Sequence, residues 1–308
     1  MSDDFRLVMI SAMYENGGNM THRLLDGNPE MFVYPFESQL GTRFAADRFS
    51  SMFPAKYRWP WFPLDGTPAS DFDSIIDEEC RVRARTRNVS KFRDHPFDFS
   101  DDDRKSAYVE YVGSRSRSRA VNVAGFFTAT FQAWRDYRRS GRERVYVGYS
   151  PIIVVDAEAS LADFPDAHLI HVVRNPWSAY ADTKKRPVPM SLSDYMLAWS
   201  IVQQLAIFYA KRFSDRVHVV RAEDVMADPA GALTPLCKSI GCEPSDTLST
   251  ISWNGAPLAQ VYPWGTIRIP TPAMNRATAE ELSVAEREEI RSRSWNLLGE
   301  LGYGDFFG

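Results

Sequence analysis

"MISAMYENGGNMTHRLLDG", residues 9–27, decides how the chain is read. An apolar run ends at a glycine pair, Gly17-Gly18. Beyond it Met20, Leu24 and Leu25 recur at helical spacing, with Thr21, His22 and Arg23 on what reads as the polar face. Strand, glycine turn and helix start together offer free backbone N–H groups and the positive end of a helix dipole, which is what an anion needs. The turn is not G-x-x-x-x-G-K-[ST], so it is not a nucleotide-kinase loop. It also carries Glu15, an acid where an anion site would hold a cation. Taken alone, Gly17-Gly18 reads rather as a plain tight turn.

Working outward, further strands are expected at 31–36 ("MFVYPF", ended by Pro35), 145–150 ("VYVGYS"), 168–174 ("HLIHVVR") and 217–220 ("VHVV"). Between them, helices are expected at 156–163, after "NPW" with Pro176 in the first turn, over 191–213, and from about Asp228. A last one is expected over roughly 279–300. Strands alternating with helices imply parallel pairing with right-handed crossovers, hence an α/β three-layer sandwich around a central parallel sheet. Residues 40–144 break the rhythm and read as a mostly helical insertion between strands 2 and 3, within a single domain spanning 1–308. A ligand site then belongs at the carboxyl ends of the strands.

The chain has 308 residues, 44% hydrophobic and 25% charged, with a net charge of −4, so no global field attracts nucleic acid or an anionic membrane. No apolar run approaches the roughly 20 residues of a membrane span, and the acidic N-terminus lacks a signal-peptide pattern. Three cysteines, Cys80, Cys237 and Cys242, form no CxxC pair, which suits a reducing cytoplasm and offers no metal site.

Four segments in order, "SAMYENGGNMTHRLLDGNP" (11–29), "YVGYSP" (146–151), "HLIHVVRNPWSAYADTKKR" (168–186) and "VHVVRAEDVMADPAGALTPLCKSIG" (217–241), resemble the sulfotransferases that use 3′-phosphoadenosine 5′-phosphosulfate (PAPS). The helix "FFTATFQAWRDYRRS" (126–140) extends the resemblance over most of the chain. It implies the P-loop NTPase-like sulfotransferase fold and sulfuryl transfer from PAPS to a hydroxyl. It also implies a cytoplasmic enzyme that uses no metal and leaves 3′-phosphoadenosine 5′-phosphate. The family's first loop, P-[RK]-S-G-[TS]-[TS], falls on Tyr14, Glu15, Asn16, Gly17, Gly18 and Asn19, and only Gly17 matches it. Tyr14, Asn16–Asn19 and Met20 are the residues that would line the 5′ end. At the 3′-phosphate the resemblance places Arg174 and, where a serine is expected eight residues on, Asp182, with the Thr183 hydroxyl next door. Tyr149 stands where a lysine is common, and Arg268 falls on a late basic loop over the 3′-phosphate. Lys184, Lys185 and Arg186 are further cations available to offset the intruding acids.

Sulfuryl transfer to a hydroxyl needs a base. Glu37, just past the second strand, sits near where some relatives carry a catalytic glutamate; it reads equally as an acid paired with an arginine. Glu15 is either an acid paired with Arg23, Arg43 or Arg174, or a base or cation-binding group of an altered site. His22 is expected to face outward, and His168 and His171 to be core histidines. The cluster "YRWPWFP" (57–63) would stack against a sugar or aromatic acceptor, or else cover the core. "SRSRSR" (114–119) reads as a solvated turn. The expectation is a PAPS sulfotransferase acting on a carbohydrate or small molecule. The alternative is a sulfotransferase-like binding or regulatory protein, or an enzyme with another donor, because Glu15, Tyr149 and Asp182 replace phosphate-binding residues.

Overall fold

The computed structural model describes residues 5–44, 47–85, 92, 94–258 and 270–307. Five strands, β1 (Arg6–Ser11), β2 (Met31–Val33), β3 (Val145–Tyr149), β4 (His168–Val173) and β5 (Val217–Arg221), form one sheet in the order β2-β3-β1-β4-β5. Every pairing is parallel, with Ile10 level with Tyr149 on one side and with Ile170 on the other. β1, β3 and β4 are buried almost throughout, which is why they read as unbroken apolar runs rather than alternating ones. β2 stops three residues short of the expected 36. Pro35 has no N–H to donate, although the Tyr34 amide still reaches the Val147 carbonyl at 2.9 Å.

Helices cover both faces. α1 (Gly18–Leu25) meets the face bearing Tyr149, while the phenylalanines of α5 (Arg119–Ala133) stack on Tyr146, whose side chain points the other way. The connection between β2 and β3 also holds α2 (Pro68–Ser74), α3 (Glu78–Arg85) and α4 (Asp101–Gly113). After β3 come α6 (Ala157–Asp163), α7 (Pro176–Thr183) behind β4, and the long α8 (Leu192–Arg212). Pro176 opens α7, and the Asn175 side chain caps it by accepting from the Ser178 amide.

Two further boundaries differ from expectation. β5 runs straight into a short α9 (Ala222–Ala227) before α10 (Pro229–Ser239). The expected terminal helix is two, α11 (Pro272–Glu280) and α12 (Val284–Leu298), because Ser283 and Glu286 form a capping box that restarts the chain. The polar face expected on α1 does not exist either: Thr21, His22 and Arg23 are all buried. Arg23 donates to the Tyr34 carbonyl at 2.8 Å and lies 5.7 and 5.6 Å from the ring centroids of Phe92 and Trp253. Trp253 comes from a hairpin of β6 (Ser252–Trp253) and β7 (Ala256–Pro257) that covers this side of the helix. Both rings come from outside α1, so the helical periodicity alone carries no trace of them.

The chain leaves β1 towards β2 at one edge, and leaves β3 and β4 towards the other. With right-handed crossovers those connections pass over opposite faces, so the carboxyl end of β1 is the topological switch point where a ligand cleft forms.

Candidate functional site

The turn after β1 is held by one side chain. Asn16 is fully buried, and its amide donates to the Tyr14 carbonyl at 2.8 Å and to the Tyr195 hydroxyl at 3.3 Å. Its side-chain oxygen accepts from the Arg174 amide at 2.9 Å, joining the ends of β1 and β4. The Asn16 side chain is thus a tie between the loops that follow β1 and β4. Gly17 sits at φ 90°, open to glycine at little cost, and Glu15 holds φ 59° as a non-glycine residue. No side chain caps α1, which leaves the amides of Gly18, Asn19 and Met20 without intrahelical partners at the positive end of the dipole.

Arg174 comes to this turn. It donates from Nη1 to the Glu15 carbonyl at 3.0 Å and to Asp182 Oδ2 at 2.8 Å, and from Nε to Asn275 at 2.7 Å. Asp182 therefore occupies the guanidinium directly. The neighbouring Thr183 is buried and its hydroxyl donates to the Ala179 carbonyl at 2.7 Å, a helix-internal bond. The other cations are matched in turn: Lys184 with Glu286 at 2.9 Å, Lys185 with Glu281 at 2.6 Å, and Arg186 with Glu15 at 3.9 Å. Arg186 also lies over the Tyr14 ring, 4.7 Å from its centroid. Arg186 was not among the partners expected for Glu15, and Arg174 reaches the Glu15 backbone rather than its carboxylate. Arg268 lies outside the described residues.

On the β2–β3 side of the turn stands a group of tyrosines and acids. Burial and the neighbouring Glu37 carboxylate together hold the pKa of the Tyr57 phenol far up. Glu37 is half-buried, and its backbone amide donates to Glu79 at 3.3 Å. Burial first, then the charges of Glu37, Glu15 and Glu79, push the Tyr149 phenol well above its ordinary pKa. Tyr14 is raised by burial and by Glu37 against the opposing pull of Arg186. The expected residues Tyr14, Glu15 and Glu37 thus share one neighbourhood with Tyr57, Tyr149 and Glu79. His22 is buried beside it, its ring 5.6 Å from that of Tyr149, and does not face outward as expected.

Other motifs are absorbed by the fold. In "YRWPWFP", Trp59 and Phe62 are buried, Trp59 donates to Asp163 at 2.7 Å, and Arg58 is forked between Asp47 and Asp156. Trp61 is half-exposed, and Tyr57 lies beside Glu37. In "SRSRSR", Arg115 stacks on Tyr111, Arg117 pairs with Asp71, Arg119 pairs with Asp163, and Ser118 caps α5. Glu223 binds Asn175, Asn275 and Tyr303, a structural hub behind Arg174. His171 is buried and bonded to Gln203 at 2.8 Å. Among the described residues no group of three His, Cys, Asp or Glu is placed to hold a metal ion, and no helix is long and apolar enough to cross a membrane.

A sequence model of the family described as "Sulfotransferase family" matches residues 65–246, more than half of the chain. The chain belongs to the sulfotransferase family. Among solved structures it is similar to the sulfotransferase domain from the Synechococcus PCC 7002 olefin synthase, with TM-score 0.54, 17% identity, and 93% of each chain covered. It is also similar to the sulfotransferase domain from the curacin biosynthetic pathway, with TM-score 0.53, 15% identity, and 93% of this chain and 96% of that one covered. At such identities the likeness establishes the sulfotransferase fold, with its central parallel sheet and flanking helices. No curated protein matches the sequence.

Proposed function

We propose that the protein moves a sulfuryl group from PAPS to a hydroxyl of a carbohydrate or small-molecule acceptor. The observation that carries this reading is the uncapped start of α1 after a turn whose Glu15 carbonyl accepts from the Arg174 guanidinium, with Asn16 tying the two loops together. The amides of Gly18 to Met20 suit the 5′ end of the donor. At the 3′-phosphate the fit is narrower, because Arg174 is shared with Asp182 and only its Nη2 is left without a partner among the described residues.

In the reaction, the bond between sulfur and the bridging oxygen breaks, and that oxygen keeps the electron pair as phosphate. The acceptor oxygen bonds to sulfur, and its proton passes to Glu37. Tyr57, beside Glu37, would orient that carboxylate as a positioning residue. Glu15, held near Arg186 at the turn, is the second acid of the site.

A second reading is a binding or regulatory protein, or an enzyme with a less charged donor. It is favoured by the matching of Arg174, Lys184, Lys185 and Arg186 to carboxylates. Calorimetry with 3′-phosphoadenosine 5′-phosphate separates the two. Micromolar binding that collapses in Arg174→Ala supports the donor reading, and no binding at millimolar ligand rejects it.

A further inference from the structure

α8 turns Tyr195, Met196, Trp199, Val202 and Gln203 inward, where Gln203 meets His171 of β4 and Tyr195 holds Asn16. A helix lying on a sheet ordinarily presents charged residues to solvent. Here no charged residue occurs from Tyr195 to Ala210. The outward line is Leu197, Ile201, Gln204 and Phe208, at successive spacings of four, three and four. At about 100° per residue these positions fall within about 60° of one another, a straight seam of the kind two helices share. Leu197 is 54% and Phe208 49% exposed, Gln204 is exposed, and Ile201 is half-buried. Charge returns only at the ends of the seam, with exposed Asp194 before it and exposed Lys211 after it. A helix that is apolar all round is a buried helix, and in the single chain this one is not.

We propose that α8 is the contact through which two copies of this chain pair, antiparallel and about a two-fold axis passing between Val202 and Gln203. Such an axis sets against each other positions equally far from that midpoint. Leu197 then meets the partner's Phe208, Ile201 meets the partner's Gln204, and Asp194 meets the partner's Lys211. A single axis thus buries both strongly exposed apolar side chains and puts an acid against a base at each end. Lys211 is already paired with Glu300 of its own chain, yet its side chain is 70% exposed and open to a second carboxylate. The parallel arrangement would set Asp194 on Asp194 and Lys211 on Lys211, like charge on like. The two Gln204 side chains would flank the axis about 4.5 Å apart along it, and a polar pair in an apolar seam fixes its register. A bilayer surface is met by basic residues rimming the apolar face, whereas this seam has an acid at one end and bases at the other. The contact is the same patch on both copies, so it closes at two. It braces from outside the helix whose inner face holds Asn16, whichever donor the cleft takes.

The test is sedimentation equilibrium of wild type, Leu197→Glu, Phe208→Glu, Asp194→Lys, and Asp194→Lys combined with Lys211→Glu, with circular dichroism of each. Wild type should be a dimer with a micromolar Kd, and its melting midpoint should rise with protein concentration. Leu197→Glu and Phe208→Glu should each raise that Kd at least about a hundredfold, since the two-fold repeats every loss. Asp194→Lys should raise it roughly tenfold, because two exposed charge pairs are reversed. Adding Lys211→Glu should restore it, as the exchanged charges still meet across an antiparallel seam. A wild type that is monomeric at about 100 µM overturns the proposal. So does a dimer that either glutamate leaves intact, which puts the interface elsewhere. A double variant as weak as Asp194→Lys overturns the antiparallel pairing. A monomer that cosediments with phosphatidylglycerol vesicles assigns the seam to a membrane surface and overturns the dimer. Loss of fold in Leu197→Glu or Phe208→Glu contradicts the exposure on which the seam rests.

Discussion

Asp182→Asn is the perturbation with the least intuitive outcome, a single loss of charge that should tighten ligand binding. Asp182 lies 2.8 Å from Arg174 Nη1, and the guanidinium keeps its bonds to the Glu15 carbonyl and Asn275 when the carboxylate goes. A phosphate that reaches the same guanidinium would stand about 5 Å from the carboxylate; at an effective dielectric of about 40, each unit of charge there is disfavoured by about 1.7 kcal/mol. With screening by solvent at this half-open pair, about 1–3 kcal/mol is a fair range, or roughly a 5- to 150-fold lower Kd for 3′-phosphoadenosine 5′-phosphate. The loss of fold stability should be small, about 1 kcal/mol or less, because one partner is partly solvated. Titration calorimetry at low and high salt reads both sides of the argument, since the gain should shrink as salt rises. Unchanged or weaker binding by a folded Asp182→Asn protein would refute the placement of ligand charge against Arg174.

Glu15→Gln should lower turnover or ligand affinity with the melting midpoint nearly unchanged, as expected for an exposed acid at the turn; a stability loss with normal binding would assign it a structural role. Asn16→Ala should destabilise the fold by about 2–4 kcal/mol in a urea titration, because the Arg174 amide and the Tyr14 carbonyl lose a buried partner. Burial holds the His171 pKa down at about 4, so its neutral form is favoured in the fold. The unfolded chain then binds the extra proton. Stability should be full above pH ~6.5 and fall progressively down to about 4, with proton uptake on unfolding seen as a buffer-dependent calorimetric heat.

The sheet was legible because its central strands are buried on both faces: "HLIHVV" and "VYVGY" can be little else when bounded by turn residues. The start of α7 was legible because Asn175 and Pro176 act locally. The meeting of Arg174 with the first turn followed from a resemblance between segments, and the geometry puts the two in contact. What could not be read were relations between distant segments. Asn16 looks like a free polar loop residue until Tyr195, far along the chain, is seen bonded to it. Tyr57 sits in an aromatic run of which Trp59 and Phe62 go to the core while Trp61 stays exposed, and nothing in the run itself marks Tyr57 as the neighbour of Glu37. Glu79 carries no local signal, because the helix that brings it belongs to the long connection between β2 and β3. His22 and Arg23 were misplaced for the same reason, their cover being supplied by Tyr149, Phe92 and Trp253.

Crystallisation with 3′-phosphoadenosine 5′-phosphate bears most directly on whether the first crossover grips a nucleotide through its backbone. The account predicts 5′-phosphate oxygens within hydrogen-bonding distance of the Gly18–Met20 amides, with the Arg174 guanidinium turned to the other phosphate. Nucleotide density elsewhere, or a turn closed over by its own side chains at saturating ligand, would contradict it.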